Sequence, residues 1–109
     1  MVDQSKIYNK LVRDRIPEII AADGRQCATE IMNDEEFRQA LLVKLVEEAE
    51  EVANAEAGDI AKEIADLYEV IDALLIAFDL NKETIFATQK KRREERGGFE
   101  NHIKLLWTD

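Results

Sequence analysis

The sequence predicts an all-α protein, an antiparallel helical hairpin plus further helices that form a four-helix-bundle-like core on oligomerisation, with short irregular or extended N- and C-terminal segments. Three observations predict it. Apolar residues recur at three- and four-residue steps over most of residues 33–96. Helix-start and helix-stop signals punctuate that stretch, and β-favouring runs are confined to short pieces before it. The 109 residues, 46% hydrophobic and 36% charged, suit one domain, 1–109, with a single core. A chain this small buries only about 60–70% of its unfolded surface alone, so wide apolar helix faces gain by pairing with another copy.

Residues 5–32 mix the β-favouring runs Lys6-Ile7-Tyr8 and Ala28-Thr29-Glu30-Ile31-Met32 around a short helical piece. Pro17 sits early in that piece and Gly24 follows its end, the usual asymmetry. Asn33 opens the first long helix, with Glu36 three residues on, a capping box with Asn in place of Ser or Thr. Asp34, Glu35 and Glu36 complement the positive end of the helix dipole. Phe37, Leu41, Leu45, Ala49 and Val52 carry this helix from about 34 to 56, and Gly58 ends it. Asp59 is placed to cap the next helix, in which Ile60, Ile64, Leu67, Ile71, Leu74, Leu75 and Phe78 run to about 79. The short link makes the two an antiparallel pair. Asp79-Leu80-Asn81 marks another break, and a third long helix spans about 82 to 96, closed by Gly97-Gly98. Ile103, Leu105, Leu106 and Trp107 argue that the tail packs on something.

Fifteen Lys and Arg against 24 Asp and Glu leave a net charge of −9. Sequence-independent binding to a nucleic acid polymer is disfavoured, because it needs many cationic phosphate contacts over an extended surface. A small polyphosphate remains compatible, provided that a divalent cation supplies positive charge. Cys27 is the only cysteine, which excludes an internal disulfide and a thiolate zinc cluster and suits a reducing compartment. Cys27 itself reads as a small buried apolar residue. The first twenty residues lack a signal-peptide pattern, and no apolar run approaches the roughly 18 residues of a membrane span. The expectation is a cytoplasmic protein without a membrane partner.

The carboxylates are informative through their place on each helical wheel, at about 100° per residue. With Glu47 at zero, Lys44, Glu48 and Glu51 fall at roughly 60°, 100° and 40°, while Leu41, Leu45 and Val52 occupy about 120–160°. Glu48 therefore borders the core, and Glu50, at roughly 300°, does not. On the second helix, with Glu63 at zero, Leu74, Leu67, Ile60, Phe78 and Ile71 lie between roughly 20° and 80°, so Glu63 is inside the apolar sector. Asp66 flanks it beside Ala73 and Ala77, whereas Glu69 and Asp72 fall on the polar side. An ionised carboxylate among Leu, Ile and Phe needs a partner. That partner is either a cation of the protein, such as Lys44, Lys62 or Arg38, or a metal. Carboxylates three apart on one helix point the same way, and two such pairs on neighbouring helices make an all-oxygen cluster suited to Mg²⁺ or Mn²⁺.

Lys90, Lys91, Arg92, Arg93 and Arg96 gather at the end of the third long helix, where cations suit the dipole and where one or two could reach a nucleotide's phosphates. Lys10 and Arg13 are a second cationic pair, to which spacing assigns no role. His102 reads as a surface histidine, and Phe99 and Trp107 as core or dimer contacts.

Lys44-Leu45-Val46-Glu47-Glu48-Ala49-Glu50-Glu51-Val52 followed by Glu63-Ile64-Ala65-Asp66-Leu67 resembles the E-x-x-E and E-x-x-D signature of the MazG-like nucleoside triphosphate pyrophosphohydrolases. That all-α superfamily includes phosphoribosyl-ATP pyrophosphatase and dimeric dUTPases. Tyr8-Asn9-Lys10-Leu11-Val12-Arg13-Asp14-Arg15-Ile16-Pro17 and Arg96-Gly97-Gly98-Phe99 are similar to a phosphoribosyl-ATP-pyrophosphatase-like branch of small proteins. The resemblance implies Mg²⁺-dependent hydrolysis of a nucleoside triphosphate between its α and β phosphates, with Mn²⁺ a substitute ion. It implies that Glu48, Glu51, Glu63 and Asp66 hold the metal, and that Glu47, beside Glu48, positions or deprotonates the attacking water. Lys44, Lys91, Arg93 and Arg96 become candidate phosphate contacts, and a homodimer or dimer of dimers the expected assembly. Three substrates or roles stay open: house-cleaning of (deoxy)nucleotides, the phosphoribosyl-ATP step of histidine biosynthesis, and a non-catalytic helical dimer with a structural metal site.

Overall fold

The computed structural model describes residues 6–109. Among them are four helices and no strand: α1 (Ile16–Ala22), α2 (Asp34–Asn54), α3 (Ile60–Ala77) and α4 (Lys82–Arg96). The chain divides between Phe78 and Asp79 into two compact units.

The first unit is built on α2 and α3, which pack against each other. Asn33 caps α2 as its sequence demands, its side-chain oxygen accepting from the Glu36 N–H at 2.9 Å, with three acidic residues in the first turn. The α2 helix ends at Asn54, earlier than Gly58 suggests. The Asn54 amide donates to the Glu50 carbonyl at 2.9 Å, and Ala55 turns extended. Asp59 does not cap α3 with its side chain: its backbone is already helical, and its N–H closes a turn on the Glu56 carbonyl at 2.8 Å. Residues 55–59 thus form a tight connection, and α2 and α3 run antiparallel on either side of it.

The packed faces differ from the sequence wheel in an instructive way. On α2 the covered side is Phe37, Leu41, Lys44, Leu45, Glu48 and Val52, with Leu41 only 3% exposed. Glu48 therefore lies within the packed face rather than at its border. On α3 the covered side is Glu63, Asp66, Leu67, Val70, Ala73, Leu74 and Ala77, and Val70, at 8%, is its most buried residue. The face is centred on the small residues, turned by roughly 60° from the large apolar stripe. Ile60, Ile64, Ile71 and Phe78 stay exposed along one edge of α3, and Leu42, Val43 and Val46 along the back of α2. Helices approach closely over alanine and valine, so the small residues join Leu67 and Leu74 in the covered face while Ile60, Ile64, Ile71 and Phe78 are left at the edge.

Ahead of the hairpin, α1 starts with Pro17 in its first turn and stops before Gly24, whose φ of +77° is reached at no steric cost only by glycine. The β-favouring runs Lys6-Ile7-Tyr8 and Ala28–Met32 form no strand, because neither meets a second run to pair with. Cys27, expected to be buried, is exposed on the loop between α1 and α2.

The second unit, Asp79–Asp109, begins with Asn81 capping α4: its side chain accepts from the Glu83 and Thr84 N–H groups at 2.8 and 3.2 Å. The helix runs over its predicted span and is closed by Gly97 at φ +81°. Phe99, Ile103, Leu105, Leu106 and Trp107, expected to pack, are exposed, since the tail forms no helix or strand that gathers them on one face. His102 is exposed as expected.

Replacing Leu41 with Ala should lower the unfolding free energy by about 2–4 kcal/mol, whereas Asn33→Ala should cost about 1 kcal/mol. Urea denaturation of both variants checks the ranking. A loss for Asn33→Ala equal to that for Leu41→Ala would contradict the assignment of Leu41 to the centre of the hairpin.

Candidate functional site

The hairpin brings Glu48 of α2 opposite Glu63 and Asp66 of α3, residues at similar distances along the chain from the 55–59 connection. One oxygen from each lies within 4.8 Å of the other two, and all three side chains are half-buried. Glu63 and Asp66 share a face because they are three residues apart on a helix, and Glu48 meets them because it lies within the packed face of α2. Glu51 is exposed one turn further along α2, outside this group of three. Glu69, on the polar side of α3, is exposed.

Three cations surround the acids. Lys44 Nζ lies 3.4 Å from Glu47 Oε1 and 3.5 Å from Glu48 Oε1, and the Lys44 and Glu48 side chains are only 16% and 13% exposed. This is the compensation that a carboxylate in a packed helix face requires. The other two cations come from the segment before α1, which is neither helix nor strand. Lys10 Nζ reaches Glu47 Oε1 at 3.3 Å, and Arg13 Nη2 reaches Asp66 Oδ1 at 2.8 Å. The segment is seated by the half-buried Leu11 and Val12 and turns into α1 where the Ile16 N–H donates to the Arg13 carbonyl at 3.0 Å. Exposed pairs of this kind contribute about 0.2–1 kcal/mol, so the apolar residues rather than the charges hold the segment down.

Between this segment and α2 is a cavity of ≈ 150 Å³, lined by Asn9, Lys10, Leu11, Met32, Ala40, Val43, Lys44 and Glu47. Lys10, Lys44 and Glu47 give it a charged lining, and Leu11, Met32, Ala40 and Val43 an apolar one. Glu47 sits between cavity and cluster. Its partial burial raises the carboxyl pKa, but hydrogen bonds and charge from Lys10 and Lys44 outweigh that and hold it below the ordinary glutamate value.

Of the residues expected from sequence, Glu47, Glu48, Glu63, Asp66 and Lys44 are neighbours, and Glu51 is set apart. Lys91, Arg93 and Arg96 belong to the second unit. There Lys91 pairs with Glu95 at 3.9 Å, Arg93 pairs with Glu100 at 3.6 Å, and Arg96 is exposed in the last turn of α4. Lys10 and Arg13 contact the acids directly. Their two positive charges are visible in the sequence, but the 37- and 53-residue separations to their partners are not.

The donor set is all oxygen, with no histidine or cysteine in the group, as a hard divalent cation requires. Two oxygens on one Mg²⁺ are at most about 4.2 Å apart, twice the bond length, a little closer than the 4.8 Å within which these three oxygens lie. No protein-family model matches the chain, and no solved structure matches it. An uncharacterised protein of Mycolicibacterium smegmatis is 46% identical over 54 residues, 50% of this chain and 55% of that protein. The chain thus spans about half the length of the relative it matches.

Because the folded-state pKa of Glu47 lies below its unfolded value, the ionised side chain stabilises the fold above the ordinary glutamate value of 4.5. That contribution is lost as the pH falls through the folded pKa. The stability difference between the native chain and Glu47→Gln should therefore be constant near neutrality and shrink below pH 4.5. Denaturant unfolding across this range measures it; a difference that grows with acid would mean that Lys10 and Lys44 do not govern this carboxylate.

Proposed function

We propose that the protein is a Mg²⁺-dependent nucleoside triphosphate pyrophosphohydrolase of the MazG-like type, which cleaves the α–β phosphate bond and releases a nucleoside monophosphate and pyrophosphate. The observation that carries this reading is the meeting of Glu48, Glu63 and Asp66 within 4.8 Å at the interface of two helices. It is supported by the resemblance of the E-x-x-E and E-x-x-D motifs to that superfamily. Glu48, Glu63 and Asp66 would hold the ion, with Glu51 the candidate to complete the set from the neighbouring turn. Mn²⁺ is the expected substitute. The ion supplies Lewis-acid polarisation of the phosphates and lowers the pKa of water.

The remaining chemistry belongs to the chain. Glu47 is a half-exposed carboxylate beside the cluster, ionised at neutral pH, and so able to orient a water molecule and accept its proton. Lys44 bridges Glu47 and Glu48 and keeps two adjacent negative groups compatible. No nucleophilic serine or cysteine is required. The substrate is a small nucleotide, and house-cleaning of canonical or damaged (deoxy)nucleotides is the favoured role, with phosphoribosyl-ATP the alternative substrate. Lys91, Arg93 and Arg96 remain candidate phosphate contacts from α4.

The exposed edges of α2 and α3 support assembly into a homodimer or dimer of dimers, where a second hairpin would complete a four-helix core. No helix among the described residues is long and apolar enough to cross a membrane, and the net charge argues against a nucleic acid polymer. A reducing, cytoplasmic location fits the lone cysteine. A second reading is favoured by the ion pairs of Lys10, Arg13 and Lys44, which already partner the acids: the cluster would be a structural polar network in a non-catalytic helical dimer.

Assay of pyrophosphate release from ribo- and deoxynucleoside triphosphates and phosphoribosyl-ATP separates the two. The expected outcome is release with a monophosphate product only when Mg²⁺ is present, abolished by Glu63→Gln and nearly unchanged by Glu69→Gln. Millimolar Mg²⁺ should also raise the melting temperature of the native chain, and Glu63→Gln should remove most of that rise. A melting curve indifferent to metal, with no turnover, would favour the structural network. Light scattering at micromolar concentration should give the mass of a dimer or tetramer; a monomer would refute the assembly.

A further inference from the structure

Lys10 and Arg13 reach two different helices from one irregular segment: Lys10 bonds Glu47 of α2, and Arg13 bonds Asp66 of α3. Four properties set these contacts apart from ordinary surface pairs. Asp66 offers an oxygen to the three-carboxylate group, so the Arg13 guanidinium and a metal ion are competitors for one residue. Arg13 places a single nitrogen on a single oxygen, where a guanidinium committed to one carboxylate makes two parallel bonds. Leu11 and Val12 of the segment are half-buried, whereas the Lys10 and Arg13 side chains are 44% and 57% exposed and have room to turn toward a ligand. Finally, Lys10 and Lys44 line one cavity together with Glu47, so a ligand seated there meets both cations.

We propose that Lys10 and Arg13 are phosphate-contacting residues, held by Glu47 and Asp66 until a complex of a divalent cation with a polyphosphate exchanges with them. This rests on the reading of the cluster as a metal site for polyphosphate chemistry. Such a ligand carries both charges that the exchange needs. The cation takes over Asp66, which Arg13 leaves, Glu47 keeps Lys44 when Lys10 leaves it, and the phosphate oxygens receive the guanidinium and the ammonium. Without the exchange, the phosphates would face the acids while Lys10 and Arg13 stay committed to carboxylates. The segment therefore acts as a basic strap that neutralises the site in the absence of ligand and contributes to it in the ligand's presence.

The test is calorimetric titration of the full chain, first with Mn²⁺ alone and then with imidodiphosphate in excess Mg²⁺. Arg13→Gln should bind Mn²⁺ more tightly than the native chain, because a competing cation is gone, and should bind the magnesium imidodiphosphate about tenfold or more weakly. Lys10→Gln should likewise weaken binding of the magnesium imidodiphosphate, with a smaller gain for Mn²⁺ because Glu47 lies outside the three-carboxylate group, and Arg13→Lys should stay near the native values. Affinities that fall together in Arg13→Gln and Lys10→Gln, or that do not change, would overturn the strap while leaving the metal site intact. Absence of Mn²⁺ binding in the native chain as well as the variants would remove the metal reading and, with it, this proposal.

Discussion

The structure turns on one electrostatic constraint: a carboxylate, Glu48, lies within the packed face of a helix and has to be compensated there. Lys44, one turn earlier on the same helix, is the nearest answer, and the low exposure of both side chains makes the pair part of the hairpin rather than of its surface. Once α3 is laid against that face, it adds Glu63 and Asp66 to the same place. More negative charge then converges than one lysine offsets. The chain meets the excess with Lys10 and Arg13, brought from a segment far away in sequence. Leu11 and Val12 are the half-buried residues of that segment, and its two cations offset charge placed on α2 and α3.

The same hairpin explains which apolar surface is left over. Close approach of α2 and α3 runs over Val70, Ala73 and Ala77, so the carboxylates of adjacent turns can meet across the interface. The bulkier residues Ile60, Ile64, Ile71 and Phe78 are rotated to the edge, and α2 carries a second apolar line on its back. A helix apolar on two sides is suited to a core larger than one hairpin. The arrangement that brings the acids together is therefore the one that leaves the bulkier apolar residues at the edge.

The helices were legible because their signals are local. Apolar periodicity, the Asn33 cap, Pro17 and the glycines that follow α1 and α4 act within a few residues of themselves, and the observed helices fall on the expected spans to within two residues. The ends that differ are Asn54, where a side-chain amide takes the Glu50 carbonyl, and Ala77, two residues short of the expected end; α3 starts where expected, on a turn at Asp59 rather than on its side-chain cap. The wheel also identified Glu48, Glu63 and Asp66, because a carboxylate beside an apolar stripe is visible from spacing alone.

The amino-acid sequence by itself determined the all-helical class, the hairpin and the three carboxylates that face into it, since each depends on contacts within one helix or across one short connection. The tertiary structure alone decided how α3 is turned, that Val70 rather than the isoleucine stripe is buried, that Glu51 lies apart, and that Lys10 and Arg13 partner the acids. Those outcomes depend on the closest approach of two surfaces and on charges paired over dozens of residues. Steric fit and Coulomb interaction act through space, and a one-dimensional pattern records which residues are available to them without recording which ones meet.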